Sequence, residues 1–374
     1  MKKIMIPGLI AALALSSVAK AELQVSGNVT TLAGYQHDST DAAGYGAGGL
    51  TQGGEFGFTD ASKADHFGFF VDQAELDLEN EFGENIRARA DIDFRDITGA
   101  ASAVNMEQGY VTANLNVGNG MEFLIGKYNA PLSLEVTDRD ANVFVTYTPG
   151  HAYLMPTSLI GTKFNYEFND TWSTDVGVVN NLNGPIAGNS AIPSGFVRVG
   201  AKWGDEGRES FVNAAAAVGP EANSTIVGTA NKLNKHLDLF GNLWGNWALG
   251  DFWDLGWEAT YRQSDSVTVG QNQKATAGQL YAMYKASDVW SVQARGAAFW
   301  EVNPTASTGT GASTTGSTWS GFEGMTFSGT LGTTYQITDG AAMKLEYRFD
   351  LAKTDGGLKN ANYNTGMAEF AYSF

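Results

Sequence analysis

The chain contains no cysteine, only four histidines and only eight prolines among its 374 residues. The absence of cysteine excludes disulfide scaffolds, thiolate zinc sites and cysteine nucleophiles. A nucleophile also needs a base within hydrogen-bond reach, and no short-range Ser/His/Asp pattern surrounds His37, His66, His151 or His236. The sequence therefore predicts no catalytic residues, and a hydrolase is a weak hypothesis for this chain.

Positive charge is scarce, and long hydrophobic runs are missing from the body of the chain. Lys and Arg number 23 against 40 Asp and Glu, which gives a net charge of −17. Such an acidic chain is not expected to bind nucleic acid, because phosphate binding needs a basic face. Beyond residue 21, no stretch has the roughly 18 consecutive apolar residues that mark a membrane-spanning helix. A helical membrane protein is therefore excluded as well.

The N-terminus has the three parts of a secretory signal peptide. Lys2 and Lys3 precede an apolar stretch over residues 4–15, and Ala19-Lys20-Ala21 supplies a small-residue cleavage site. The alternative, a retained membrane anchor, needs about 20 apolar residues, which this stretch does not reach. We therefore expect residues 1–21 to be cleaved and residues 22–374 to form an exported, acidic protein.

Alternation of apolar and polar residues recurs along the mature chain. In residues 86–95 every second residue is apolar and all the residues between are charged, and 252–262 and 341–350 have the same period. Successive side chains of a strand point to opposite faces, so these segments are strands with one apolar and one polar face. The period predicts sixteen strands, near 23–36, 67–80, 86–95, 106–117, 121–128, 158–168, 172–180, 194–203, 210–218, 236–247, 252–262, 275–285, 289–301, 325–336, 341–350 and 363–374.

The connections between these strands alternate between tight turns and longer loops, with both termini at the tight-turn end. Aromatic residues lie at the strand ends and form two bands, as in the pairs that bracket tight turns: Phe168 and Trp172, Trp247 and Trp253, Tyr284 and Trp290. A soluble β-sandwich also alternates, but it needs neither the bands nor a second face rich in charge. The sequence predicts an all-β protein, a transmembrane antiparallel up-and-down β-barrel of about sixteen strands, with short periplasmic turns, long outer loops and periplasmic termini.

The C-terminus and three internal segments of the sequence resemble known outer-membrane proteins. The C-terminus alternates apolar residues and ends in phenylalanine, like the signal by which Gram-negative outer-membrane proteins are handed to the barrel assembly machinery. Its outward aromatic residues are Phe370, Tyr372 and Phe374. Segments 123–135, 159–166 and 176–180 resemble the OmpL-like β-barrel porins, and the whole mature chain resembles general porins. The resemblance implies passive diffusion of ions and small hydrophilic solutes across the outer membrane, with no catalytic residues, cofactor or metal.

The long loop at 129–157 is the connection with the most information. A barrel of about sixteen strands leaves an aqueous channel, and this loop combines Glu135, Asp138 and Asp140 with an apolar and aromatic run. Such a run is expected to pack against something, so we expect the loop to fold into the lumen, although an extracellular cap or a contact between subunits is the alternative. The predicted constriction joins the three loop acids to bases on the wall: Arg87, Arg89, Lys163 and Arg198.

An excess of inward-facing acids predicts a weak preference for cations. Small outward-facing residues on the first and last strands are compatible with close approach of barrel walls, and general porins of this size resemble trimers, so we expect a homotrimer in outer-membrane lipid. A non-conducting outer-membrane anchor or adhesin is the main alternative to a porin, because loops can bind partners without any change in the barrel.

Overall fold

The computed structural model describes residues 23–38, 65–95, 103–182, 192–205, 207–220, 237–265, 272–302, 324–354 and 361–374. The predicted signal peptide, residues 1–21, lies outside this part of the chain. Sixteen strands follow one another: β1 (Gln24–Asp38), β2 (Asp65–Phe82), β3 (Ile86–Arg95), β4 (Ala103–Leu115), β5 (Met121–Asn129), β6 (Ser158–Glu167), β7 (Trp172–Val179), β8 (Ser194–Trp203), β9 (Ser210–Pro220), β10 (Leu237–Leu249), β11 (Trp253–Asp265), β12 (Asn272–Lys285), β13 (Trp290–Val302), β14 (Gly324–Thr338), β15 (Ala341–Thr354) and β16 (Ala361–Ser373).

Each strand pairs with its neighbours in sequence in an antiparallel arrangement, and β1 also pairs with β16, which closes the barrel. The register at the closure places Val29 opposite Tyr372 and Leu32 opposite Glu369. Beside it, the amide of Phe374 donates to the carbonyl of Gly27 at 3.0 Å. Closure leaves no unpaired strand edge, which is the condition for a sheet to lie in lipid. The predicted sixteen-stranded antiparallel barrel is therefore confirmed.

The tight turns fall where the sequence predicts them. Gly83, between β2 and β3, and Gly250, between β10 and β11, have φ angles of +68° and +56°, which glycine adopts without steric strain. The turn between β6 and β7 is fixed by Asn169, whose side-chain oxygen accepts from the amides of Thr171 and Trp172 at 2.9 and 2.8 Å. These local interactions set the register of each hairpin.

The alternation in β15 places its apolar and charged residues on opposite faces, as predicted. Leu345, Tyr347 and Phe349 are exposed on the outer face, whereas Glu346 and Arg348 are buried on the inner face. Apolar residues that are exposed along a closed barrel are those expected to contact lipid. Among the residues that the structure describes, no helix is both long enough and apolar enough to cross a membrane.

The inner face, however, is not polar all the way round, which differs from the prediction that each strand has one apolar and one polar face. The inner faces of strands between β5 and β10 contribute Leu124, Tyr128, Val179, Phe196, Ala215, Ala217, Phe240 and Trp244 to one buried cluster. Leu159 of β6, with Leu132, Met155 and Leu182 from the connections, completes it. Leu132 and Met155 of the long loop pack here, whereas Val145 and Leu154 lie in two separate buried clusters, with Met367 and with Phe299. Water is excluded from these parts of the interior, and apolar residues replace polar ones on the wall.

One short helix, α1 (Pro149–Leu154), lies within the long loop, where the sequence analysis predicts no regular structure. Thr148 caps it, since its hydroxyl accepts from the amide of His151 at 3.2 Å, and Pro149 occupies the first turn. A capping threonine followed by proline is a helix-start signal, but a helix of only six residues is too short to show a helical period in the sequence.

Candidate functional site

The segment between β5 and β6, residues 130–157, contacts the inner faces of strands that lie far from its own two ends. At its beginning, the side-chain amide of Asn242 on β10 donates to the carbonyl of Leu132 at 2.7 Å. The amide of Leu134 donates to Glu258 on β11 at 3.0 Å. At its end, Arg262 on β11 donates to the carbonyl of Leu154 at 2.8 Å. Both ends of the segment are therefore fastened to the same pair of strands.

Arg295 on β13 holds the middle of the segment. One terminal nitrogen of its guanidinium lies 2.6 Å from Glu135 Oε1, and the other donates to the carbonyl of Thr146 at 2.7 Å. The guanidinium also stacks on the ring of Phe144, 4.3 Å from its centre. Glu135 in turn accepts from the backbone amide of Thr148 at 3.1 Å. Both charges are almost fully buried, so each depends on these partners for the solvation that water would otherwise give.

The inner face of β15 binds the backbone of the segment. Glu346 accepts from the amide of Val145 at 2.7 Å and from the hydroxyl of Thr146. Lys344 donates to the carbonyl of Asn142 at 2.8 Å, and Arg348 donates to the carbonyl of Tyr147 at 2.6 Å. Charged side chains that hydrogen-bond to backbone groups fix the path of a segment without regular secondary structure.

Beyond β15 the segment reaches β16 and β2. Ser373 Oγ donates to Asp140 Oδ2 at 2.7 Å. Arg139 pairs with Asp72 on β2 at 3.2 Å, and its guanidinium lies 4.0 Å from the centre of the Tyr147 ring. The segment thus contacts strands from β10, through β13, β15 and β16, to β2, which is a large part of the circumference of the barrel.

Asp138 of the segment joins a group of wall acids. Its carboxylate, that of Glu75 on β2 and that of Glu107 on β4 have oxygens within 4.8 Å of one another. The groups that donate to the two wall acids are neutral amides: Asn28 donates to Glu75 at 3.0 Å, and Asn129 donates to Glu107 at 2.8 Å. Burial raises the pKa of Asp138 to about 7, and the negative charge of Glu107 adds to the rise. This acidic wall is therefore a region of negative potential that depends on pH.

The four predicted wall bases each contact wall acids and not the loop acids. Arg87 lies 3.3 Å from Glu122, and Arg89 lies 2.7 Å from Asp91. Lys163 and Arg198 share Asp175. These bases keep some contact with water, with exposed side-chain fractions between 17% and 38%, whereas that of Arg295 is 1%.

The structure therefore places the three loop acids of the predicted constriction at three separate positions. Glu135 is buried against Arg295, Asp140 is bound to Ser373, and Asp138 lies at the acidic wall. The residues that hold the segment, Arg295, Lys344, Glu346 and Arg348, are not among the predicted site residues, although alternation in the sequence places them on the inner face. Alternation could show which way they face, but no local signal could show that the long loop would be their partner.

His151 in α1 is the buried histidine of the segment, and it stacks on the ring of Tyr147 with centres 4.4 Å apart. Burial lowers its pKa to about 4 against the opposing effect of Glu135, and the positive charges of Arg139 and Arg295 add to the lowering. The ring is therefore neutral at pH 7 and serves as packing for Tyr147.

Comparisons with known proteins agree with this architecture. The family model "Putative beta-barrel porin-2, OmpL-like" matches residues 22–374. An anion-selective porin from Comamonas acidovorans superposes with a TM-score of 0.64 at 13% identity, over 95% of this chain and 100% of that one. OmpT, an outer membrane protein of Vibrio cholerae, gives a TM-score of 0.59 at 16% identity, over 95% and 98%. OprB of Pseudomonas putida gives 0.58 at 12%, over 94% of each chain.

At these identities the superpositions demonstrate a shared fold only. No curated protein matches the sequence at a significant level. The family match, in contrast, spans the whole predicted mature chain and agrees with the resemblance of segments 123–135, 159–166 and 176–180. Because that match coincides with a closed sixteen-stranded barrel, the chain belongs to the OmpL-like β-barrel porin family and is a porin of the bacterial outer membrane.

Proposed function

We propose that this porin forms a water-filled channel for passive diffusion of ions and small hydrophilic solutes, narrowed by the segment 130–157. The observation that carries the proposal is the set of contacts between this segment and inner-facing residues, from Asn242 on β10 to Asp72 on β2. A segment fastened to such widely separated parts of a closed wall lies across its interior. An extracellular cap would contact strand ends and neighbouring loops instead.

In this proposal the charged groups have two different tasks. The buried ones, Glu135 with Arg295 and Glu346 with Thr146, keep the segment in place. The more accessible ones set the electrostatic potential of the passage: Asp138, Asp140, Arg87, Arg89, Lys163 and Arg198. Acids outnumber bases in the chain, 40 against 23, so we propose a weak preference for cations, which salt will screen.

Orientation and assembly follow from the outer surface. We propose that the tight turns and both termini face the periplasm, as short turns do in bacterial barrels. Phe370 and Tyr372 are exposed on the outer face of β16 and Phe374 is exposed directly after it, and we propose that the barrel assembly machinery binds these three residues. We also propose a homotrimer, since β1 and β16 present small and apolar residues to the outside. Native mass spectrometry in mild detergent tests it, and a spectrum of monomer alone would contradict it.

The alternatives are a non-conducting anchor or adhesin and, more remotely, an enzyme. A hydrolase needs a base beside a nucleophile, and His151, the buried histidine of the segment, is enclosed by Tyr147 packing. We therefore propose that the protein is not an enzyme and needs no cofactor.

Swelling of proteoliposomes in neutral sugars of increasing size tests the proposal. A porin admits small sugars at a rate that rises linearly with concentration and falls steeply with size. Absence of swelling with every sugar would support the anchor. Protein-free liposomes and liposomes with a truncated barrel, from which β16 is deleted, serve as controls.

A further inference from the structure

A recess of about 400 Å³ lies between the segment and the inner faces of β7 to β10, near the end of the barrel that carries the tight turns. Its walls include Leu134, Val136, Arg198, Lys202, Phe211 and Trp244, and we call it the Trp244 recess. Pockets for small ligands begin at about this size. The recess therefore has room for one small organic molecule.

One side of the Trp244 recess is apolar. Trp244 belongs to the buried inner cluster, and Phe211 packs against that cluster. Val136 of the segment is 40% exposed although it lies inside the barrel. Apolar surface in contact with water is unfavourable in proportion to its area, so a solute that covers it gains free energy. A flat ring suits the two aromatic side chains.

The other side is cationic. Arg198 is held by Asp175 through its Nε and by Asn213 through one terminal nitrogen at 3.0 Å. Gly200 leaves room for this arrangement, since a Cβ there would overlap Asn213 Oδ1. The Asp175 carboxylate that Arg198 uses is also shared with Lys163, 3.5 Å away. The single carboxylate of Asp175 is thus paired with two positive charges.

Lys202 adds a more available charge. Its ammonium lies 3.9 Å from Glu209, with 54% of the lysine side chain exposed. An exposed ion pair at that distance contributes little to stability, so the ammonium can bind another carboxylate with a small loss of free energy from the existing pair. Three cations, Lys163, Arg198 and Lys202, face two acids, Asp175 and Glu209, and this part of the wall is positive.

We propose that the Trp244 recess binds small organic carboxylates with an aromatic body, with the ring against Phe211 and Trp244 and the carboxylate between Arg198 and Lys202. A charge-assisted contact with the cations fixes the anionic end of the ligand. Small inorganic anions bind more weakly than aromatic carboxylates, because they cannot cover the apolar side of the recess. A cationic solute is repelled. The inference rests on the proposed function, because the ligand enters through the channel.

The test uses the full mature protein in a planar bilayer in KCl, with benzoate as the probe. Benzyl alcohol supplies the ring without the charge, acetate the charge without the ring, and glucose a polar ring. Benzoate should reduce the ion current at a concentration about tenfold lower than any of the other three, as one charge-assisted contact is worth about a factor of ten. Equal potency of benzoate and acetate, or stronger block by glucose, would overturn the proposal.

Variants locate the effect. Lys202→Gln and Phe211→Ala should each raise the half-blocking concentration of benzoate about five- to tenfold. Lys285→Gln is the matched control, because Lys285 is an accessible lysine near the same end of the barrel, paired with Asp254 at 3.3 Å, outside the recess. It should leave benzoate block unchanged within about twofold. The unblocked KCl current of each variant reports whether the barrel has folded.

Failure of the inference is distinguishable from failure of the proposed function. A channel that conducts KCl but is blocked equally in Lys202→Gln and in the parent contradicts the recess alone. A protein that passes no KCl current contradicts the porin. In that case calorimetric titration of benzoate in detergent decides the recess: binding that Lys202→Gln weakens supports it, and no binding overturns it.

Discussion

Arg295 and Glu135 are 160 residues apart in the sequence, yet their side chains form a buried ion pair of 2.6 Å between the wall and the segment 130–157. The pair changes the role of Glu135. An acid that is bound to a guanidinium and to Thr148, away from water, holds the segment and contributes little to the field along the passage. The accessible charges lie elsewhere on the wall, at Arg87 and Arg89 among others.

Removal of Arg295 should release the segment. Arg295→Met leaves Glu135 buried without its cation, which costs about 3–5 kcal/mol. We expect larger current fluctuations in single-channel records and faster cleavage within 130–157 by a protease. The double variant Arg295→Met/Glu135→Gln removes the unpaired charge and should recover part of the loss. Quiet, uncleaved channels in Arg295→Met would show that the pair does not hold the segment.

The outer and inner faces of β15 should respond differently to substitution. Leu345→Arg places a charge in lipid near mid-strand, at a cost of roughly 2–4 kcal/mol, and should impair folding into vesicles. Glu346→Gln keeps an acceptor for Val145 and Thr146, so the barrel should fold normally while the segment loosens. Heat-modifiable migration on gels measures the first effect and channel noise the second. Equal damage to folding by both variants would refute the assignment of faces.

Ion selectivity should depend on pH through Asp138. Its pKa of about 7 lies above the ordinary value of 3.8, so the proton stays bound on the folded protein over that interval. The stability that this gives to the docked segment is complete below pH 3.8 and is lost as pH rises through about 7. Over the upper part of the same range Asp138 becomes charged.

Between pH 6 and pH 8 the reversal potential in a KCl gradient should therefore shift in the direction of greater cation selectivity, because a group near pH 7 becomes negatively charged. Asp138→Asn should remove this change. Asp170→Asn, at a tight turn, is the control and should retain it. A pH profile that is the same in Asp138→Asn and in the parent would assign the titration to another group.

The wall bases should oppose the acids. Replacement of Arg87 and Arg89 by Gln removes two accessible positive charges from the passage, so the zero-current potential should shift in the direction of greater cation selectivity. Replacement of Asp138 and Asp140 by Asn should shift it in the direction of greater anion selectivity. Glu135→Gln, in contrast, should alter noise more than selectivity. Comparable shifts from Glu135→Gln and from the Asp138/Asp140 pair would place Glu135 in the passage after all.

Most of the barrel could be predicted from local sequence. The alternation in 86–95 gives β3 with its observed bounds, and tight turns such as that at Asn169 are local devices. The apolar part of the inner wall could not be predicted, because Phe240 and Trp244 alternate with apolar residues on the outer face of β10 as well. With both faces apolar, period alone does not show which side meets water.

The residues that contact the long loop could not be predicted from local sequence either. Whether Glu135 meets Arg87 or Arg295 depends on the path of 130–157 across a closed barrel, which is set by many contacts at once: α1, the apolar cluster and the polar face of β15. Each contact is long-range in sequence, and the sequence specifies only that the acids and bases exist.

Single-channel conductance of the parent and of a variant with residues 136–147 replaced by a short Gly–Ser linker tests the central claim, that this protein is an open channel narrowed by its own segment. The linker removes Arg139, which pairs with Asp72, and Thr146, which binds Arg295 and Glu346. It keeps the Glu135–Arg295 pair, Leu132 and Met155 in the apolar cluster, and Leu154 packed on Phe299. We predict steady, ohmic steps for the parent and clearly larger steps for the variant. Equal steps would show that the segment does not form the narrowest section, and the absence of steps in both proteins would contradict the channel itself.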